Sequence, residues 1–174
     1  MATALARGFI RAKLVGPGQV IASDPVAGAR TAFAKETEAK VADSNKEVVQ
    51  FAKVIFLAVK PDQVASVLAE VREHFTSEHL LISIAAGVPI AKLEGGLSPG
   101  ARVIRVMPNT PALVGESATA YAPGKSATSA DAELAQKLFS AVGAAFQVKE
   151  ALLDAVTGLS GSGPAYVYQF IEAL

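Results

Sequence analysis

The chain has 174 residues, 51% of them hydrophobic and 18% charged, which suffices to bury one sizeable core. Sixteen basic residues balance sixteen acidic ones, so there is no electrostatic footprint for nucleic acid or an anionic membrane surface. The absence of cysteine excludes disulfides, zinc–thiolate sites and thiol nucleophiles, and no apolar run approaches the roughly 20 residues of a membrane-spanning helix.

Residues 2–14 read as an amphipathic helix, with Leu5, Phe9 and Ala12 on one face and Gly8 permitting close contact. Arg7, Arg11 and Lys13 with no early acid faintly imitate an organellar targeting segment. A first domain helix in a cytoplasmic protein is the reading the following elements favour. Gly16-Pro17-Gly18 breaks the helix. A short strand at 19–22, an Ala-rich helix at 25–38, a minor strand at 40–42 and a helix at 44–51 follow. Residues 54–59 form an unbroken apolar run rich in β-branched types, the pattern of a strand buried on both faces. Val64, Val67, Leu68, Val71 and Phe75 then recur at helical spacing. Further strands are expected at 80–85, 103–107 and 146–148, with an edge strand at 116–122 and a helix bearing Leu134, Leu138, Phe139 and Val142. His74 and His79 flank a helix–strand turn and read as solvated.

Strands alternating with helices imply an α/β, Rossmann-like, doubly wound and mostly parallel sheet over residues 1–150. Such a sheet normally opens with a strand, a Gly-rich turn and then a helix. Here the sequence starts within that helix, so the first strand is expected to be missing from the chain. The expected consequence is two unpaired strand edges between residues 19–22 and 54–59. Residues 151–174 read as the start of a helical domain. Ser160-Gly-Ser-Gly-Pro164 leads into a helix carrying Tyr166, Val167, Phe170, Ile171 and Leu174, with Ser162 or Gly163 as its cap. So broad an apolar face calls for a partner.

Four turns are expected to gather at the carboxyl edge of the sheet, where open α/β folds bind ligands. Ser23 and Asp24 follow the strand at 19–22. An acid there accepts ribose hydroxyls, whereas hydroxyl and basic groups such as nearby Arg30 favour a 2′-phosphate, so NADH and NADPH both remain open; Asp24 serves equally well as an N-cap. Ala58-Val59-Lys60-Pro61 places a cation beside free helix N–H groups, or merely solvates a strand end. Ala85, Ala86 and Gly87 leave room for a flat ring, or serve tight packing. Met107 and Asn109 sit in a loop stiffened by two prolines. No nucleophile elbow and no spacing for metal ligands appears. A site of amides, small residues and one lysine suits a cofactor that carries its own chemistry.

Together, Ala58-Val-Lys-Pro61, Ser83-Ile-Ala-Ala-Gly-Val88, Arg102-Val-Ile-Arg-Val-Met-Pro-Asn-Thr-Pro-Ala112 and Asp154-Ala-Val-Thr-Gly-Leu-Ser-Gly-Ser-Gly-Pro-Ala-Tyr166 closely resemble the pyrroline-5-carboxylate reductases. The resemblance implies NADPH- or NADH-dependent reduction of 1-pyrroline-5-carboxylate to L-proline. It also implies a homodimer or larger homo-oligomer formed through C-terminal helices. It places Ser23, Asp24 and Asn45 by the adenosine ribose, and Ala58, Val59, Lys60 and Pro61 along the cofactor. Ala85, Ala86 and Gly87 would lie near the nicotinamide, with Met107 and Asn109 at the reacting centre. Substrate-side catalytic residues are expected beyond Leu174, and these 174 residues alone are expected to turn over little substrate. Two competing readings are another Rossmann reductase, of the hydroxyacid-dehydrogenase or deazaflavin type, and a non-catalytic nucleotide-binding or subunit-interaction fragment.

Overall fold

A computed structural model describes all 174 residues. Five strands form the main sheet in the order β3 (Val54–Leu57), β4 (Leu80–Ser83), β5 (Arg102–Met107), β6 (Ser117–Pro123) and β7 (Gly143–Gln147). All neighbours run parallel except β5 and β6. A separate two-stranded parallel sheet pairs β1 (Ile21–Ser23) with β2 (Lys40–Ala42), and no strand bridges β1 and β3. The break falls where the expected gap lies.

Helices cover both faces of the main sheet, and the two-residue strand period sorts the core. Ile55, Leu57, Leu81 and Val103 point toward α3 (Asn45–Phe51), α4 (Val64–Val71) and α5 (Ile90–Gly96), where Val49, Val64, Leu68 and Leu93 meet them. Leu80, Ile82, Ile104 and Val106 point the other way, against Leu5 and Phe9 of α1 (Ala2–Arg11) and Leu138 and Phe139 of α6 (Ser129–Ser140). A Cβ on Gly8 would lie 2.1 Å from Val142 Cγ1, so the close helix contact read from the sequence is realised. Ala6, the residue after Leu5 on α1, packs instead with Phe33 of α2 (Ala27–Thr37) and with Val20 and Ala22. The helix α1 therefore lies across the break between the two sheets. Its partner on α6 is nucleated by a capping box of Thr128 and Asp131, and Asp131 also takes a 2.8 Å contact from Arg102.

Four expectations are corrected. The strand β6 is no edge: it is hydrogen-bonded to β5 on one side and β7 on the other, and five of its seven residues are buried. The last strand starts at Gly143 rather than 146, because a glycine without a side chain can lie against Ser117. His79 is no solvated histidine. The Thr76 N–H donates to its Nδ1 at 2.9 Å, which leaves Nε2–H to donate to the Val49 carbonyl at 3.0 Å. Finally, Ser162 stands at the N-cap position of the last helix, α8 (Gly163–Ala173), but its side chain makes no capping hydrogen bond. Thr157–Gly161 is π-helical and runs on from α7 (Leu153–Val156), and Ser162 Oγ donates back to the Thr157 carbonyl. No helix is long and apolar enough to cross a membrane.

Tyr121 on β6 is buried, its hydroxyl donating to Gln136 at 3.0 Å, and burial pushes its phenol above the usual range. The folded chain holds this proton more tightly than the unfolded chain. Stability from this group is thus fully present below the unfolded value and falls as pH climbs through the folded one. Urea melts at increasing alkaline pH are expected to show a steeper loss in the wild type than in Tyr121→Phe, which has no proton to lose there.

Candidate cofactor site

The parallel strands bring their carboxyl ends, and the turns that follow them, to one edge. After β1, Ser23 Oγ donates to Asn45 Oδ1 at 2.7 Å, and Asn45 Nδ2 donates to Glu70 at 2.7 Å. These two contacts tie the small sheet to α3 and α4. Asp24 has turned its carboxylate to the Val26 N–H at 2.8 Å, in an Asx-type turn. Arg30 lies beside the same turn, donating to the Asp24 carbonyl at 2.6 Å and pairing with Asp43 at 2.9 Å. The Asp43 side chain is 90% exposed, so solvent screens that pair and it holds Arg30 weakly.

Strand pairing on β3 stops at Leu57, earlier than the apolar run suggests, which frees Ala58 and Val59 for the turn. Lys60 is exposed and without an ion-pair partner in the chain, and Pro61 opens a 3₁₀ turn behind it. Ser83 ends β4 fully buried, and Ala85 packs inward. Ala86 and Gly87 face solvent; Gly87 adopts φ +70° with no atom within 4 Å of where a Cβ would sit. A left-handed backbone and open space together make this turn a place where a flat ring can approach the main chain.

Met107 ends β5 and Asn109 lies in the turn after it, where both side chains meet other parts of the chain. Asn109 is 8% exposed and its side-chain amide makes three hydrogen bonds. Its Oδ1 accepts from the Ala118 N–H at 2.9 Å and from Ser117 Oγ at 3.1 Å, while Nδ2 donates to the Ser160 carbonyl at 3.2 Å. Asn109 thus builds the turn, and Met107 packs among Val148, Val156 and the buried Leu153.

One feature of this edge escaped the sequence reading. Arg105, in the middle of buried β5, is only 6% exposed and donates to Glu150 at 3.3 Å and Asp154 at 2.7 Å. Glu150 also accepts from the Ile90 N–H at 2.7 Å. A charge inside an otherwise apolar strand was the available signal, because a buried cation requires partners.

Residues 1–87 match the family model described as NADP oxidoreductase coenzyme F420-dependent, and residues 150–174 match pyrroline-5-carboxylate reductase dimerisation. The pyrroline-5-carboxylate reductase of Methanosarcina acetivorans is 48% identical over 178 residues, taking in 100% of this chain and 64% of the relative. This chain belongs to the pyrroline-5-carboxylate reductase family. Solved structures agree. The family member from Coxiella burnetii superposes with a TM-score of 0.91 at 31% identity, covering 99% of this chain and 64% of that one. The Plasmodium falciparum pyrroline carboxylate reductase, solved with NADP bound, gives 0.89 at 37%, covering 99% and 63%. The chain therefore spans less than two thirds of the length of the pyrroline-5-carboxylate reductases it matches.

Proposed function

We propose that the protein carries out NAD(P)H-dependent reduction of 1-pyrroline-5-carboxylate to L-proline. The carrying observation is the 48% identity to a reductase of that name across the entire chain. The carboxyl edge fits the cofactor: an unpaired lysine, an open glycine turn and a cationic corner at Arg30 lie where α/β sheets take nucleotides. A nicotinamide held at this edge would supply the hydride for the imine carbon, and solvent would supply the proton for the imine nitrogen. Within this edge, Lys60 neutralises cofactor charge, Ala85, Ala86 and Gly87 keep the main chain approachable, and Asn109 holds the turn after β5 rigid. Ser23 and Asn45 border the ribose. The deazaflavin-type alternative draws support from the match over residues 1–87, but the match over 150–174 favours the proline-forming reaction. That second match supports a homodimer in which α8 is covered, since Tyr166, Val167, Phe170 and Ile171 are all more than half exposed here. A cysteine-free NAD(P)H reductase also suits the reducing cytoplasm.

NADPH is the preferred cofactor in this reading, because the Asp24 carboxylate is spent on its own turn while Arg30 remains beside the ribose position. The full gene product that carries these residues is expected to oxidise NADPH and form proline when given pyrroline-5-carboxylate. Cofactor binding without proline would refute the assignment. In calorimetric titration, Lys60→Ala should weaken either cofactor by about 1–3 kcal/mol while leaving stability within about 0.5 kcal/mol. Arg30→Ala should weaken NADPH alone; an equal loss for NADH would refute the 2′-phosphate role.

A further inference from the structure

A buried arginine on a central strand asks for a reason beyond stability. Burying an ion pair is often no better than burying an apolar residue of the same volume. An apolar residue at 105 would serve β5 between Ser83 and Ala122 at least as well. The partners of Arg105 differ sharply from it in exposure. The Arg105 side chain is 7% exposed, Glu150 36% and Asp154 79%. The guanidinium carries nearly all of the desolvation, and the carboxylates are drawn in from the surface toward it.

The two carboxylates stand four residues apart, Glu150 opening the 3₁₀ turn Glu150–Leu152 and Asp154 in α7 directly after it, and they differ in what else each meets. Glu150 accepts both from Arg105 and from the Ile90 N–H, directly behind the Ala85–Gly87 turn. Asp154 lies in α7, which leads into the π-helical turn Thr157–Gly161 and then α8. Strand alternation puts positions 105, 107 and 109 on one side of β5 and its extension. Each touches the C-terminal segment in turn. Arg105 holds Asp154, a Cβ on Gly161 would lie 2.9 Å from Met107 Cε, and Asn109 donates to the Ser160 carbonyl at 3.2 Å. Thr157, Ser160 and Ser162 spend their hydroxyls on carbonyls of their own segment, so these side chains anchor it to nothing outside.

We propose that Arg105 is a positioning residue that couples the turn after β4 to the π-helical turn before α8, so that the two sides of the edge move as one body. The forked guanidinium is what permits this. Its two terminal nitrogens each take one carboxylate, Nη1 Glu150 and Nη2 Asp154, where a lysine would be a single point charge. The meaning for catalysis rests on the cofactor reading above; the mechanical coupling does not.

Amide hydrogen exchange on the full chain tests it. Asp154→Ala removes an exposed carboxylate and leaves Glu150 as the partner of Arg105. It is expected to speed exchange at residues 158–162 by about tenfold or more, with the amides of β4 unchanged within about threefold. Arg105→Met should extend the local acceleration to residues 85–90, and Arg105→Lys should recover only one of the two segments. Uniform acceleration that includes β4 would mean a merely structural ion pair and would overturn the proposal, as would unchanged exchange at 158–162. Full recovery of both segments by Arg105→Lys would overturn the forked coupling. NADPH titration of the same variants separates the two ideas: a wild type that fails to bind NADPH refutes the cofactor reading, while the exchange result still decides the coupling.

Discussion

Gly143→Ala is expected to cost at least about 3 kcal/mol, a large part of the roughly 5–15 kcal/mol that holds a domain folded. Gly143 stands opposite Ser117 in the β6–β7 ladder. A Cβ there would sit 2.1 Å from the Ser117 carbonyl oxygen and 2.2 Å from its nitrogen, at φ +146°. All the clashing atoms are backbone, so no side-chain rotation relieves them. Either the strands part or the turn before β7 rebuilds. Parting them also disturbs Ser117 Oγ, which donates to Asn109 and thereby shapes the turn after β5. Urea unfolding would show the loss as a lower midpoint, and a shift below about 1 kcal/mol would show that the strands tolerate a side chain at this point.

Phe139→Ala should cost about 3–5 kcal/mol, the range for removing a buried aromatic ring. Phe139 is completely buried in α6 and meets Phe9 edge-on at 6.5 Å and Phe56 at 6.1 Å. Three rings from α1, β3 and α6 thus share one contact. The backbone around the cavity is held by a parallel sheet, so collapse into the space is limited. Urea unfolding should show a lower midpoint at unchanged slope. A cost under about 1.5 kcal/mol would mean that Phe9 and Phe56 refill the void, which their attachment to different elements opposes.

The fold was legible because its strongest signals are periodic. The stripe from Val64 to Phe75 and the packing glycine at 8 each obey one local rule and appear in the structure. The apolar run at 54–59 gives a strand only over Val54–Leu57, with Val54 and Phe56 half-buried because β3 has a neighbour on one side only. The role of β6 was misread because alternation looks alike in an edge strand and in a strand between two neighbours. Only pairing with β7, a contact distant in sequence, settles it. The cap of α8 was half legible: Ser162 holds the N-cap position, but a π turn precedes it and its hydroxyl donates back to the Thr157 carbonyl instead of accepting from α8. At the site, the turns were visible from small residues and prolines. The engagement of the Asn109 amide by residues 117, 118 and 160 was not, since nothing local predicts it. Arg105 was visible as a charge in an apolar strand, but its partners lie 45 and 49 residues away.

The break between β1 and β3 bears on how the molecule opens. A two-stranded sheet has little stability of its own, and β1–β2 is joined to the rest through α1, α3 and the short relay from Ser23 to Asn45 to Glu70. Within the α/β part of the chain it therefore forms a separate small unit, able to detach while the five-stranded sheet stays intact. Its edge carries Ser23, Asp24 and Arg30. A nucleotide gripping that corner and Lys60 together would bridge two units that open independently. Part of its binding energy would then go into suppressing detachment, and the resulting protection would concentrate in residues 21–42.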